Sequence, residues 1–332
     1  MSLRTLLAVL PTVAALASRS AAAADPADPF MGDWQGTAKS AEGTGVPIAA
    51  QVIAQPAGLY RVNLIADFAK RVRPLAVLEG KAEGGKLAVA QVPGSGNPAN
   101  NWTGTIDGAV FAGRVQGAQN GTFELKKVER LSPTLGAKPP AGAVVLFDGT
   151  SLDAWQKAGG GAAGWKLADG VMEVAGGSII TKQKFGDCRF HVEFRLPFLR
   201  EQQGQARGNS GVYAQGRYEV QVLDSYGLEG ANNECGGIYS VAAPRVNMCA
   251  PPLQWQTYDI TFKAPRFDGA GKKTASARMT VKHNGETIQD DVEVPHPTTA
   301  AMSGDEVPAD GLYLQDHGCA VQYRNVWAVE EK

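Results

Sequence analysis

Hydrophobic and polar residues alternate with a period of two along most of this chain, the pattern of strands with one buried face. Between Gly32 and Val128 the alternation falls into short runs: 32–37, 48–54, 59–65, 75–79, 87–92, 102–106, 110–115 and 122–128. Asp107-Gly108 and Asn120-Gly121 separate neighbouring runs and read as two-residue hairpin turns. A small antiparallel β domain is therefore expected over residues 25–130. Residues 131–142, LSPTLGAKPPAG, are rich in Pro and Gly without periodicity, and read as an interdomain linker.

From residue 143 to 332 the alternation resumes. Phe190, Val192, Phe194 and Leu196 share one face, and His191, Glu193 and Arg195 share the other. Runs at 218–223, 258–262, 278–283 and 321–329 behave alike, and Asn284-Gly285 marks another tight turn. Almost no window carries a 3.6-residue period. The fold class expected is all-β: a jelly-roll or sandwich domain preceded by the smaller antiparallel domain.

Composition narrows the class. The chain has 332 residues, 32 Lys and Arg against 33 Asp and Glu, 40 Gly, 4 Cys and 4 His. These totals allow about two domains and exclude a collagen, a disordered polyelectrolyte or a cysteine-stapled mini-protein. A net charge of −1 offers no basic footprint for nucleic acid. The start, MSLR followed by an apolar stretch and a run of alanines, reads as a secretory signal over 1–24, with a secreted or periplasmic mature protein expected. No segment approaches 18 consecutive apolar residues, so no membrane insertion is expected. Cys188, Cys235, Cys249 and Cys319 allow three disulfide pairings. Pairing of Cys235 with Cys249 and of Cys188 with Cys319 competes with four free buried thiols. Zinc is disfavoured because no CxxC or HxxxH spacing exists. Gly159–Gly161 fails as a phosphate loop because Trp165 stands where the lysine must be.

The densest polar stretch runs from Arg207 to Tyr226. Glu219 and Gln221 sit two apart on a strand, so both project to one face about 6.6 Å apart by the strand rise. Asp224 joins them only if a bulge near Leu223 turns it back. Acids and amides on one face suit sugar hydroxyls and proton transfer. Arg207, Asn209, Tyr213 and Gln221 are the candidate substrate contacts here. The plainer alternative is that Glu219 and Asp224 are strand carboxylates paired with Arg217 or Arg207. Near the C-terminus, Tyr313, Gln315 and His317 alternate with Leu312, Leu314 and Asp316. Gln315 then looks outward as a substrate contact, and His317 is the best-placed histidine for acid–base work or metal ligation. His283 and His296 read as surface residues, and His191 as a weak candidate beside Glu193. Trp255 and Tyr258 offer a stacking platform for a sugar ring, or core, with at least one of the two in the core.

Seven segments in order carry a family resemblance: Val145–Trp155, Arg207–Tyr213, Gly216–Tyr226, Cys235–Tyr239, Trp255–Ile260, Val281–Gly285 and Leu314–Gly318. Together they resemble the 3-keto-disaccharide hydrolase domain over about 143–332. That resemblance implies a concanavalin-like jelly roll with a substrate groove, in an exported protein acting on glycosides already oxidised to a ketone at C3. The N-terminal domain lies outside it; Gly32-Asp-Trp34 is faintly similar to the first strand of lipocalin-like barrels.

A C3 ketone acidifies the hydrogen on C2, so a base can remove it and the C1 substituent can leave by β-elimination; water addition completes a net hydrolysis. Such a route needs a base, an enolate stabiliser and an acid. Glu219 and His317 are assigned to proton transfer, with Asp224 as alternative, and Arg207, Asn209 and Gln221 to substrate oxygens. A divalent metal held by His317 and Glu219 is the alternative enolate stabiliser; no nicotinamide or flavin is expected. Two other readings stay open: a retaining glycosidase using Glu219 and Asp224 on unoxidised glucan, and a non-catalytic carbohydrate-binding protein.

Overall fold

The computed structural model describes residues 27–331; the secretory signal expected over 1–24 lies outside them. Each of the eight N-terminal runs forms a strand: Gly32–Ser40, Gly45–Ala54, Leu59–Ile65, Ala76–Glu83, Lys86–Gln91, Asn100–Asp107, Val110–Gly117 and Gly121–Val128. Each pairs antiparallel with the next, and the last pairs with the first, so the domain is a closed barrel. Closure removes both sheet edges. Trp34, Phe111 and Phe123 fill its interior edge to face, with Trp34 and Phe111 6.1 Å apart and Phe111 and Phe123 5.2 Å apart. Gly113 makes room for this packing, since a Cβ there would lie 2.3 Å from Phe123 Cζ.

The second unit is a sandwich of two antiparallel sheets. The smaller has the order Trp155–Lys157, Ile179–Thr181, Tyr313–Leu314, Ser210–Ala214, Tyr218–Val222. The larger has the order Lys166–Ala168, Val171–Glu173, Gln322–Glu330, Cys188–Arg195, Trp255–Lys263, Ala277–His283, Glu286–Val294, with Val144–Phe147 also on Gln322–Glu330. Phe190, Val192 and Phe194 are buried between the sheets, as their alternation requires. Burying each such side chain contributes about 1.5–3 kcal/mol. Tyr218 packs on Phe262 at 5.3 Å, and the Tyr258 hydroxyl donates to the Gln221 carbonyl at 2.7 Å, tying one sheet to the other. Asn284 and Gly285 both take positive φ at the hairpin their sequence announces.

Residues 131–142 are not a solvated spacer. They lie on the outer face of the larger sheet. There the Thr134 hydroxyl donates to Asp259 at 2.7 Å, the Gly136 N–H donates to Glu193 at 2.5 Å, and the Ala137 carbonyl accepts from Asn325 at 3.0 Å. All four cysteines are free and buried, so the buried-thiol alternative describes this structure. Cys188 and Cys319 sit in different places, one against the Arg189 carbonyl and the other against that of Ala206.

The barrel and sandwich touch along a polar seam. Tyr226 donates to Asp33 at 2.8 Å, Asn63 to the Gly227 carbonyl at 2.7 Å, and Arg200 to the Gln55 carbonyl at 3.1 Å. A cavity of about 590 Å³ opens on this seam beside Arg61, Arg71 and Glu229. Another of about 730 Å³ lies at the barrel mouth beside Val46 and Trp102.

Candidate functional site

The pairing of Ser210–Ala214 with the terminal strand Tyr218–Val222 of the smaller sheet sets the site. Tyr213 stands opposite Glu219, Gly211 opposite Gln221, and Tyr313 opposite Tyr213. Facing residues of an antiparallel pair lie on the same side. Val212, Val220, Val222 and Leu314 take the inner side and are fully buried between the sheets. Tyr213, Glu219, Gln221 and Tyr313 therefore project from the outer side, and Gln315, whose N–H bonds the Gly211 carbonyl, extends the row. Gly211 is required here: a Cβ would stand 2.5 Å from Glu219 Oε1 and 2.6 Å from Tyr213 Cε2. Its missing side chain is the space that the carboxylate occupies.

This outer face is covered, leaving Glu219 only 2% exposed. Burial raises its pKa to about 8, and a hydrogen bond with Tyr213 offsets part of the rise. Gln315 Nε2 in turn donates to the Tyr213 hydroxyl at 3.1 Å, so the order is amide, phenol, carboxyl. A second network lies alongside. Asn209 Nδ2 donates to the carbonyl and to Oε1 of Gln205 at 2.8 and 3.0 Å, and Gln221 Nε2 donates to the same Oε1 at 3.1 Å. Asn209 Oδ1 is buried and has no hydrogen-bond partner among the described residues, an acceptor free for a ligand hydroxyl.

The edge of this sheet is completed by the segment 236–239. Gly236 N–H donates to the Gln221 carbonyl at 3.0 Å, Gln221 N–H to that of Gly237 at 2.9 Å, and Tyr239 N–H to that of Glu219 at 3.3 Å. Val220 bridges Ile238, which puts Tyr239 on the side of Glu219. Its phenol is half-buried and close enough to Tyr213 to help raise the latter's pKa, although burial is the larger cause. Tyr239 did not emerge as a site residue from sequence, because its segment is an irregular loop with no alternation to read.

Glu219, Asn209, Tyr213, Gln221 and Gln315 thus share one neighbourhood. Other candidates do not. The strand ends at Val222, and Asp224 turns to Arg207 in a buried ion pair with Nε 2.5 Å from Oδ2. Arg207 also reaches the Ala54 carbonyl of the barrel at 3.5 Å, so this pair belongs to the seam, as the plainer reading of these carboxylates allowed. Trp255 lies in the larger sheet, with the guanidinium groups of Arg195 and Arg324 4.9 and 4.1 Å from its ring centre. Tyr258 is core.

His317 is exposed on the turn beyond Gln315. Asp316 does not orient it, because that carboxylate accepts from the backbone N–H groups of Gly177 and Gly318 at 2.8 Å each. No group of three or more His, Cys, Asp or Glu side chains suited to a metal occurs among the described residues, so no step is routed through one. The expectation for His283 is corrected: it is fully buried, lies 2.9 Å from Gln256 Oε1, and burial pushes its pKa down to about 3. Its position before a hairpin turn suggested exposure, but it pairs with Tyr258 on the inner face of the larger sheet, where the Phe194 and Tyr258 rings pack against it. His191 does meet Glu193, at 3.5 Å, beneath the 131–142 segment.

A sandwich whose outer sheet face holds a high-pKa carboxyl among amides and phenols defines a protein equipped for proton transfer on a polyhydroxylated ligand. The chain belongs to the 3-keto-alpha-glucoside-1,2-lyase-like domain family, whose model matches residues 142–329. Among solved structures it is similar to a candidate glycosyl hydrolase from Parabacteroides distasonis ATCC 8503. The two are 38% identical with a TM-score of 0.54 over 58% of this chain and 85% of that one. Two further candidate glycosyl hydrolases of that organism match at 20% and 18% identity with TM-scores of 0.43 and 0.41, covering 57% of this chain and 94% and 99% of theirs. No curated protein matches. The family and the first neighbour support a glycoside hydrolase.

Proposed function

We propose that this protein cleaves glycosides carrying a ketone at C3 of the sugar, by β-elimination across C1 and C2. The observation that carries the reading is the Glu219 carboxyl, buried, raised to about 8 and, among the described residues, hydrogen-bonded to the Tyr213 phenol. A carboxylate that basic suits removal of a proton made acidic by a neighbouring ketone. Glu219 takes the C2 proton, and the electron pair passes through the enolate into the C1–C2 double bond. The C1–O bond breaks, and the leaving oxygen gains a proton, which the exposed His317 is assigned to supply. The products are an alcohol and a 1,2-unsaturated 3-keto sugar; addition of water across that bond gives net hydrolysis. Asn209, Gln221 and Gln315 are assigned to the sugar oxygens. The retaining-glycosidase reading is disfavoured because Asp224, its second carboxylate, is committed to Arg207. Residues 1–24 are read as an export signal, which N-terminal sequencing of the mature protein would test.

The test incubates the protein in D₂O with a disaccharide and with its 3-keto derivative. Cleavage of the keto form alone, with the 1,2-unsaturated sugar or deuterium at C2 of the hydrated product, is the expected result. Cleavage with C2 hydrogen retained, or equal cleavage of the unoxidised sugar, overturns it.

A further inference from the structure

The barrel holds no residue of the Glu219 face, yet one of its side chains reaches the segment that walls that face. Arg71, on the loop between the barrel strands Leu59–Ile65 and Ala76–Glu83, crosses the seam. Its Nη2 donates to the carbonyls of Gly230 and Pro244 at 2.7 and 2.6 Å, and its Nε to that of Arg245 at 3.2 Å. Gly230 and Pro244 stand near the two ends of the excursion 227–247, so one guanidinium fastens both limbs. Five donors in a rigid fork suit this geometry, and a lysine ammonium reproduces it poorly. Asn63 of the barrel, itself buried, adds a bond to the Gly227 carbonyl at 2.7 Å.

What lies between those ends is the wall. It contains Gly236, Gly237 and Tyr239, which bond the backbone of Glu219 and Gln221. It also contains the Asn233 carbonyl, which accepts from Gln205 Nε2 at 2.9 Å and Gln221 Nε2 at 3.4 Å. Gln205 is the residue on which Asn209 and Gln221 both close. The excursion is also held from within the sandwich, by Gln289 on the Gly236 and Ala242 carbonyls at 3.0 and 3.3 Å. Arg71 and Asn63 are thus the barrel's contribution to a wall that has other anchors, and the loss of Arg71 should loosen the wall without unfolding it.

We infer that Arg71 is a positioning residue: the barrel uses it to hold the segment 227–247 against the Glu219 strand, and so sets the geometry of the cleavage reaction. The inference rests on the function proposed above. It makes the barrel a brace for the site.

The test compares R71A, R71K and R200A in the full chain, the last cutting the seam contacts to Asp28 and the Gln55 carbonyl. Backbone hydrogen exchange needs no substrate and reads the wall directly. Exchange across 230–245 should accelerate in R71A, partly recover in R71K and stay unchanged in R200A, with the cooperative melt retained in all three. With a 3-keto disaccharide, R71A should lose about tenfold in kcat with KM within twofold, since small misplacements of reacting groups act on the chemical step. R71K should regain part of the loss, and R200A should match the parent. Unchanged exchange in R71A, or equal effects from R200A, overturns the inference. Absence of cleavage by the parent protein would instead defeat the proposed function, while exchange still decides the brace.

Discussion

Glu193 and Glu219 occupy equivalent places on opposite sides of the sandwich. Each projects from the outer face of its sheet, Glu193 from a central strand and Glu219 from a terminal one, and they are 0% and 2% exposed. Burial pushes both carboxyls up. At Glu193 the push is outweighed by hydrogen bonds from His191, Asn325, Arg324 and the Gly136 N–H, which together hold its pKa at about 2. At Glu219 the only counterweight is the Tyr213 phenol, and the pKa stands at about 8. The difference teaches that depth alone does not make a carboxylate reactive. The inventory of donors around it decides, and only Glu219 is left a usable base near neutral pH.

The largest effect that would break this contrast is on turnover. E219Q keeps the shape and removes the base, so cleavage of a 3-keto disaccharide should fall by about 10⁴-fold with the circular dichroism spectrum unchanged. Full activity would take Glu219 out of the mechanism.

The same substitution should stabilise the fold, which a structural carboxylate would not do. A folded-state pKa raised from 4.5 to about 8 means that ionising Glu219 costs stability. The cost begins as pH rises above 4.5 and is complete above 8, where it reaches at most about 5 kcal/mol. E219Q should therefore melt higher than the parent at pH 9 and equally at pH 4, by calorimetry.

E193Q should do the opposite at neutral pH, costing about 3 kcal/mol because it strips the charge from a buried, fully bonded carboxylate. With a folded pKa lowered from 4.5 to about 2, the contribution of Glu193 is whole above pH 4.5 and is lost as pH falls to 2. Urea titrations at pH 7 and pH 2 should show the gap between parent and variant closing. A neutral result at pH 7 would place Glu193 outside the fastening of the 131–142 segment.

How far this contrast was legible in sequence depends on the kind of evidence each residue leaves. All eight barrel strands and the outward placement of Glu219 and Gln221 follow from alternation, because side-chain period two is a local property. Barrel closure needs the pairing of Gly32–Ser40 with Gly121–Val128, which is a long-range fact. Asp224 failed for the same reason: its fate is set by Arg207 and the adjacent barrel, which no spacing encodes. His283 is buried because it shares the inner face with Tyr258, whereas the burial of Glu193 depends on a Pro/Gly segment folding back over the larger sheet. That segment looked like a spacer because its hydrogen bonds run from backbone groups and lone hydroxyls to residues more than 50 positions away. Gly211 carried the opposite lesson, since a glycine inside a strand signals a close approach, here by the Glu219 carboxylate.

The smallest effect is the most informative about the direction of proton transfer. Y213F keeps the ring against Tyr313, which it meets edge to face at 5.0 Å, and removes the one group that lowers the Glu219 pKa. A neutral hydrogen bond is worth about 0.5–1.5 kcal/mol, so the midpoint should rise by roughly half a unit to one unit. If Glu219 acts as the base, kcat/KM in the parent climbs about tenfold per pH unit up to its midpoint and then levels. Y213F should then be about three- to tenfold slower at pH 7 and equal to the parent once both carboxyls are ionised. If Glu219 instead delivers the proton to the leaving oxygen, the parent profile falls above its midpoint, and Y213F should be the faster enzyme on the alkaline side. The two profiles cross in opposite senses, so a pH–rate series on this one variant separates base from acid without reference to structure.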